Sequence, residues 1–126
     1  ELARDLGRTD DPVMRHSLAR AHTGQELLRF LRYRTLTALS RGTQPGPEAS
    51  IMKLAYARHL SELTATALRV QGPLATLEGD VLPSGGMWSK RFLHSPSLHI
   101  AGGSDEIQRN IIGEQVLGLP PEPRVG

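Results

Sequence analysis

Residues 100–120 read IAGGSDEIQRNIIGEQVLGLP. Gly102 and Gly103 stand directly before Ser104, Asp105 and Glu106. Ser104 has the side chain of a helix cap, and the two acids suit a first turn, where they complement the positive end of the macrodipole. Ile107, Ile111, Ile112 and Val116 follow at helical spacing. This predicts a helix from about Asp105 to Leu117 with those four residues turned inward, closed by Gly118 and Pro120. The glycines permit positive φ and close approach, and the free N–H groups of the helix start point at whatever sits there. A phosphate would meet Asp105 and Glu106 at close range. The partner expected is therefore uncharged or hydrogen-donating, such as ribose hydroxyls or an adenine amino group. The same pattern also describes an ordinary glycine turn before a capped helix.

Upstream lie two longer helical patterns. In the first, Asp11 can cap, Pro12 suits the first helical position, and Met14, Leu18, Ala21, Leu28, Leu31 and Leu39 form one apolar stripe. Gly24 interrupts it, as a glycine does where another backbone comes close, and Arg41 and Gly42 end it. The turn TQPGP leads to a second helix from near Pro47 and Glu48 to about Gln71. Met52, Tyr56, Leu60, Leu63, Ala67 and Val70 are expected on one face, with Gly72 as an αL cap and Pro73 as a stop. Two long helices joined by a short turn predict an antiparallel hairpin. PLATLEGDVLPSGG then reads as a loop, MWSKRFLH as a short helix, SPSLHI as irregular chain and residues 120–126 as a tail. No strand pattern and no repeat occurs.

Composition narrows the function classes. At 126 residues the chain is one domain at most. With 38% apolar residues it can build a core, and with 4% aromatics it offers no stacking surface for single-stranded nucleic acid. The net charge of +2 comes from mixed, scattered charges, the pattern of a solvated surface. The absence of cysteine excludes disulfides and thiolate metal sites. No apolar run approaches the ~20 residues of a membrane span. His16, His22, His59, His94 and His99 lack the spacing of a helical zinc site, so no metal is expected. No G-x-S-x-G elbow supports a hydrolase. Glu62 is read as a solvated or paired helix charge, and Trp88 as an anchor that closes the loop over the bundle. The N-terminal ELARDLGRTDDP has no leader-peptide character and reads as the interior of a longer polypeptide.

With these residues in place, GPEASIMKLAYARHLSEL, ALRVQGP and FLHSPSLHIAGGSDEIQRNIIGEQVLGLPPEPR together resemble the C-terminal helical domain of acyl-CoA dehydrogenases. The most specific part is GGSDEIQRNIIGEQVLGLP, and the likeness runs from about Ala3 onward. It implies an all-α antiparallel bundle whose first helix is absent, residues 1–126 being part of the C-terminal domain of a longer, cytoplasmic flavoenzyme. The parent would desaturate an acyl-CoA thioester: a carboxylate removes the α-proton and the β-hydrogen leaves as hydride to FAD. An electron-transfer flavoprotein would reoxidise the flavin, and the enzyme would be a homo- or hetero-oligomer.

Site residues carry over one at a time. Gly102, Gly103, Ser104 and Glu106 would lie near the adenosine part of FAD. The family often has Gln before a Gly-Gly pair at the end of the second long helix. This chain has Arg69 at that position, followed by Gly72 and Pro73, so the contact there is altered and Arg69 could meet a pyrophosphate. Many members carry the catalytic Glu where Gly102 stands, so no catalytic residue is assigned in this chain. Other members place the base on the preceding long helix, and some work as unlike pairs in which one subunit has no base. A non-catalytic subunit and a free-standing helical interaction module are the alternatives.

Overall fold

Asp11 starts the longest element. Its carboxylate accepts the N–H groups of Val13 at 2.8 Å and Met14 at 3.3 Å, and Pro12 follows at the first helical position. In the computed structural model, which describes residues 1–44, 46–77 and 82–121, this helix is α2 (Pro12–Ser40), preceded by a single turn, α1 (Leu2–Asp5). Gly42, at φ +75°, turns the chain after Arg41. Helix α3 (Ala49–Gln71) returns antiparallel, bringing Arg20 within 3.8 Å of Glu62. Short helices α4 (Met87–His94) and α5 (Asp105–Ile111) then pack on α3, which also touches α1 and α2. No strand occurs among the described residues, and the expected all-α hairpin architecture is observed.

The core lies where α1, the start of α2 and the end of α3 meet. Ala3, Met14 and Val70 are buried together, with Leu2, Leu6 and Leu18 packed against them. Helix α3 buries polar side chains as well; its threonines are satisfied within the helix, whereas His59 Nε2 and the Gln71 amide are buried without a partner among the described residues. Thr64 and Thr66 each donate to a carbonyl one turn back, Leu60 and Glu62, at 2.8 Å.

Several expectations are revised. The 14-residue loop contains 3-10 turns at Gly72–Thr76 and Pro83–Gly86; its residues 78–81 lie outside the described residues, as do Pro45 and residues 122–126. Ser95–His99 is a further 3-10 turn instead of irregular chain. Gly72 has positive φ, but at φ +59° and ψ −135° it is not an αL cap. Tyr56 and Leu39 are exposed. The last helix is α-helical only to Ile111. Ile112–Val116 widens into a π turn, in which the N–H of Leu117 reaches the carbonyl of Ile112 at 3.0 Å. Ile107 is 52% exposed and Val116 also faces outward, whereas Gln108 is buried. The cause is polar: the Gln108 amide is drawn under the glycines by a hydrogen bond, and this rotates the isoleucine away.

Gly24 makes room for a side chain instead of a backbone. A Cβ there would run into Nδ1 of His59, a residue 8% exposed. Burial pushes the His59 imidazole below its usual range, with Glu62 pulling the other way. Helix propensity alone predicts that Gly24→Ala stabilises the chain by about 1 kcal/mol. The buried ring reverses the sign, and a loss of about 1–3 kcal/mol is expected in urea unfolding, recovered in Gly24→Ala/His59→Ala. A stabilised single variant would contradict this packing.

The second half of α2 carries apolar side chains on its exposed side as well as toward α3, interspersed with Arg29, Arg32 and Arg34. Leu28 and Leu31 face α3, while Leu27 (59% exposed), Phe30 (55%), Tyr33, Leu36 and Leu39 face outward. Exposed apolar surface of this extent drives association. The chain is expected to self-associate in light scattering, and Phe30→Glu to shift it toward monomer. A monodisperse wild-type monomer at high micromolar concentration would count against it.

Candidate functional site

The site is built at the start of α5. Ser104 is extended (φ −62°, ψ 164°), and its hydroxyl accepts the N–H of Ile107 at 3.4 Å, so the expected cap is present. Gly102 (φ +69°) and Gly103 (φ +94°) both occupy the left-handed region that disfavours side chains. They differ in their surroundings. A Cβ on Gly103 would stand 2.8 Å from Nε2 of Gln108, which itself donates to the Gly102 carbonyl at 2.8 Å. Beside Gly102 nothing lies within 4 Å of that position. One glycine is filled from below by the protein, and the other opens outward.

The two acids also differ. Glu106 stays at the entrance, exposed, with Arg109 Nη1 at 3.3 Å from its carboxylate. Its own N–H, then the Ser104 hydroxyl, hold the Glu106 carboxyl below the usual range, so it is an anion there. Asp105, expected to serve the helix entrance too, turns back toward α3. His99 Nδ1 lies 2.7 Å from its Oδ2, and Lys53 Nζ lies 3.2 Å from its Oδ1. The His99 hydrogen bond is the main reason that the Asp105 carboxyl sits below its usual value of 3.8, with Lys53 adding to it. Lys53 also donates to the His99 carbonyl at 3.4 Å, and Ser61 Oγ lies 3.0 Å from His99 Nε2. Electrostatic resistance to a phosphate therefore falls to Glu106, since Lys53 already neutralises Asp105.

The structure joins Gly102, Gly103, Ser104 and Glu106 in one entrance and leaves Arg69 and Gly72 elsewhere. Arg69 follows Lys53 by 16 residues on α3, about 24 Å along the axis. Its guanidinium donates to Thr66 at 2.9 Å beside a groove between α2 and α3. Gly72 sits by Arg8, whose Nη2 would be 3.1 Å from an added Cβ. Sequence reasoning missed Lys53, Ser61, His99 and Arg8; no local pattern connects residues 53 and 99. Among the described residues no cluster of histidine and acid side chains could hold a metal, and no helix is long and apolar enough to cross a membrane.

Comparison with known proteins places the chain in a family. Residues 3–117 match the family model for the acyl-CoA dehydrogenase C-terminal domain. Acyl-CoA dehydrogenase IpdE1 of Mycolicibacterium smegmatis is 40% identical over 123 residues, which cover 97% of this chain and 29% of that protein. Acyl-CoA dehydrogenase FadE26 of Mycobacterium tuberculosis is 33% identical over 135 residues, covering 93% and 31%. The chain thus spans under a third of the length of these curated relatives. Among solved structures, the ChsE4-ChsE5 complex from Mycobacterium tuberculosis superposes with a TM-score of 0.82 at 28% identity, over 91% of this chain and 30% of that one. The Tcur3481-Tcur3483 steroid ACAD shares the fold, with a TM-score of 0.87 at 21% identity, over 95% of this chain and 32% of that one. The match across residues 3–117, with relatives of that name along nearly the whole chain, establishes that this chain belongs to the acyl-CoA dehydrogenase family and carries its C-terminal helical domain.

Proposed function

We propose that this domain works within a longer, FAD-dependent acyl-CoA dehydrogenase of the cytoplasm, where it supplies contacts to the adenosine part of FAD and part of a subunit interface. The observation that carries the reading is the open side of Gly102 at the entrance of the helix whose first turn carries the ionised Glu106 carboxylate. Among the described residues no protein acceptor takes the N–H of Gly102 or Gly103. Two free donors and one fixed anionic acceptor suit ribose hydroxyls and an adenine amino group, which both give and take hydrogen bonds. The same site disfavours a phosphate, as Glu106 would repel it. Gly102, Gly103, Ser104 and Glu106 are therefore the residues that would hold FAD, with Arg69 and Gly72 as candidates for a second contact at the far end of α3. When bound, FAD supplies the electron acceptor for α,β-desaturation of an acyl-CoA thioester, and an electron-transfer flavoprotein would take the electrons onward.

Removal of the α-proton needs a base within hydrogen-bond reach of that carbon. Gly102 stands where many relatives carry the base, and it has no side chain to offer. Asp105 is held by His99 and Lys53 and faces α3. The base would come from outside these 126 residues, from the parent's preceding helix or from a partner subunit. Gly102 also favours a second reading, in which this chain is part of the non-catalytic subunit of an unlike pair. A free-standing helical interaction module has no such observation in its favour.

The isolated 126 residues are expected neither to retain FAD nor to desaturate acyl-CoA, since one wall cannot hold a flavin or a thioester. In the full-length parent, Glu106→Ala is expected to raise the FAD dissociation constant about tenfold, the scale of one charged hydrogen bond. Once loaded with FAD, that variant should still be bleached anaerobically by its acyl-CoA substrate. A loaded Glu106→Ala protein that does not bleach, while upstream carboxylates prove dispensable, would overturn the reading. Bleaching only after mixing with a second subunit would favour the unlike pair.

A further inference from the structure

Lys53, Ser61, His99 and Asp105 form a connected cluster that flanks the two glycines without taking part in the entrance itself. We propose that this cluster is a positioning clasp, which fixes the Gly102–Gly103 entrance in the shape that receives the adenosine end of FAD; the proposal rests on reading that entrance as a cofactor contact. His99 and Asp105 are six residues apart and stand on either side of the glycines. Their hydrogen bond closes the base of the loop. Lys53 Nζ holds both sides of that base, through the His99 carbonyl and the Asp105 carboxylate. Ser61 fixes the far nitrogen of the ring at 3.0 Å. Lys53 and Ser61 lie eight residues apart on α3, with buried Ala57 midway between them. That small residue lets the loop lie close to the helix, and Ile100, Ala101 and Gly102 are left exposed at its tip.

The order Ser61–His99–Asp105 is also that of a nucleophilic relay. Acyl transfer, however, needs donors aimed at the developing oxyanion. Ser61 is in the interior of α3, where neighbouring N–H groups are taken by the helix itself. The relay therefore orients and does not attack.

The hydrogen bonds of His99 are compatible with either ring charge. Nδ1–H donates to Asp105 in both states. The Ser61 hydroxyl donates to a neutral ring and accepts from a charged one. The groups facing Asp105 are His99 from the preceding turn and Lys53 from α3, with Glu106 the neighbouring acid on α5. While Asp105 is ionised it balances the Lys53 ammonium beside it. The clasp opens only when Asp105 itself is protonated. Because its folded value is lowered, this stabilisation is complete above the usual 3.8 and is lost as pH falls below it.

The test combines two measurements on the full-length polypeptide: amide exchange across residues 100–107, and FAD affinity. The variants are Asp105→Asn and, as a second lesion that keeps the alkyl stem, Lys53→Met. Asp105→Asn should weaken binding about tenfold. Exchange at residues 100–107 should quicken about tenfold in both variants, with residues 60–67 of α3 unchanged. A general loss of structure would quicken exchange at residues 60–67 as well, and saturating FAD would not slow it there. Unchanged exchange in both variants would overturn the clasp and leave the cofactor reading standing. Faster exchange with unchanged FAD affinity would remove the cofactor reading, and the proposal with it. Labelling of Ser61 by a fluorophosphonate would overturn the purely orienting role.

Discussion

The fold depends on α3 being buried from several sides at once. Helices α1, α2, α4 and α5 all touch it. An all-apolar helix would meet that demand simply, but α3 buries Ser50, His59, Thr64, Thr66 and Gln71 along with Ala57, Ala67 and Val70. Each buried polar group must find a partner or cost about 1–3 kcal/mol. The threonines bond back to their own helix, while His59, lying against Gly24 of α2, and Gln71 keep buried polar atoms without a partner among the described residues and bear that cost. Just beside this buried face, Lys53 and Ser61 hold the loop that leads into α5. The polar content of α3 thus decides where its neighbours sit. A slide of one helical turn would separate Lys53 from Asp105 and place a different residue opposite Gly24.

Local chemistry was legible where it acts over a few residues. The Asp11 cap, Pro12, the stop at Gly42 and the Ser104 cap were all readable because each is a contact within four positions. Periodicity gave the two long helices for the same reason. It failed at α5, where Ile107 fits the apolar repeat and yet faces water. There a single polar contact, from Gln108 to the Gly102 carbonyl, outweighs the repeat in a helix of seven residues. Short helices carry too few apolar positions for the pattern to fix their rotation. The Gly24 pattern was readable as a close approach, but only the structure shows that an imidazole fills the space.

The candidate site was legible in part. Gly-Gly before a capped helix marks an entrance in any sequence, and the likeness to acyl-CoA dehydrogenases gave it a chemistry. The role of Asp105 was not legible. A carboxylate in a first turn ordinarily answers the helix dipole, and its real partners lie 6 and 52 positions away. Contacts at that separation leave no trace in a window of sequence. They exist because α5 is laid across α3 by the fold, after which a lysine, a histidine and an acid meet at short range.

The division between the two acids bears on the missing base. A carboxylate that abstracts a proton must be ionised, near the carbon, and free to accept. Asp105 is ionised, but its oxygens are held by an imidazole and an ammonium, and it points into the domain. Glu106 is ionised and exposed, but its own N–H, Ser104 and Arg109 hold it at the rim. Gly102, where the resemblance would put a base in many members of the family, lacks the group. A Glu at residue 102 would need a side chain at φ +69°, a conformation that non-glycine residues adopt at a cost. The backbone at this entrance is thus shaped for glycine. Restoring a base by Gly102→Glu alone would bear that conformational cost, though nothing lies within 4 Å of the added Cβ to block the side chain.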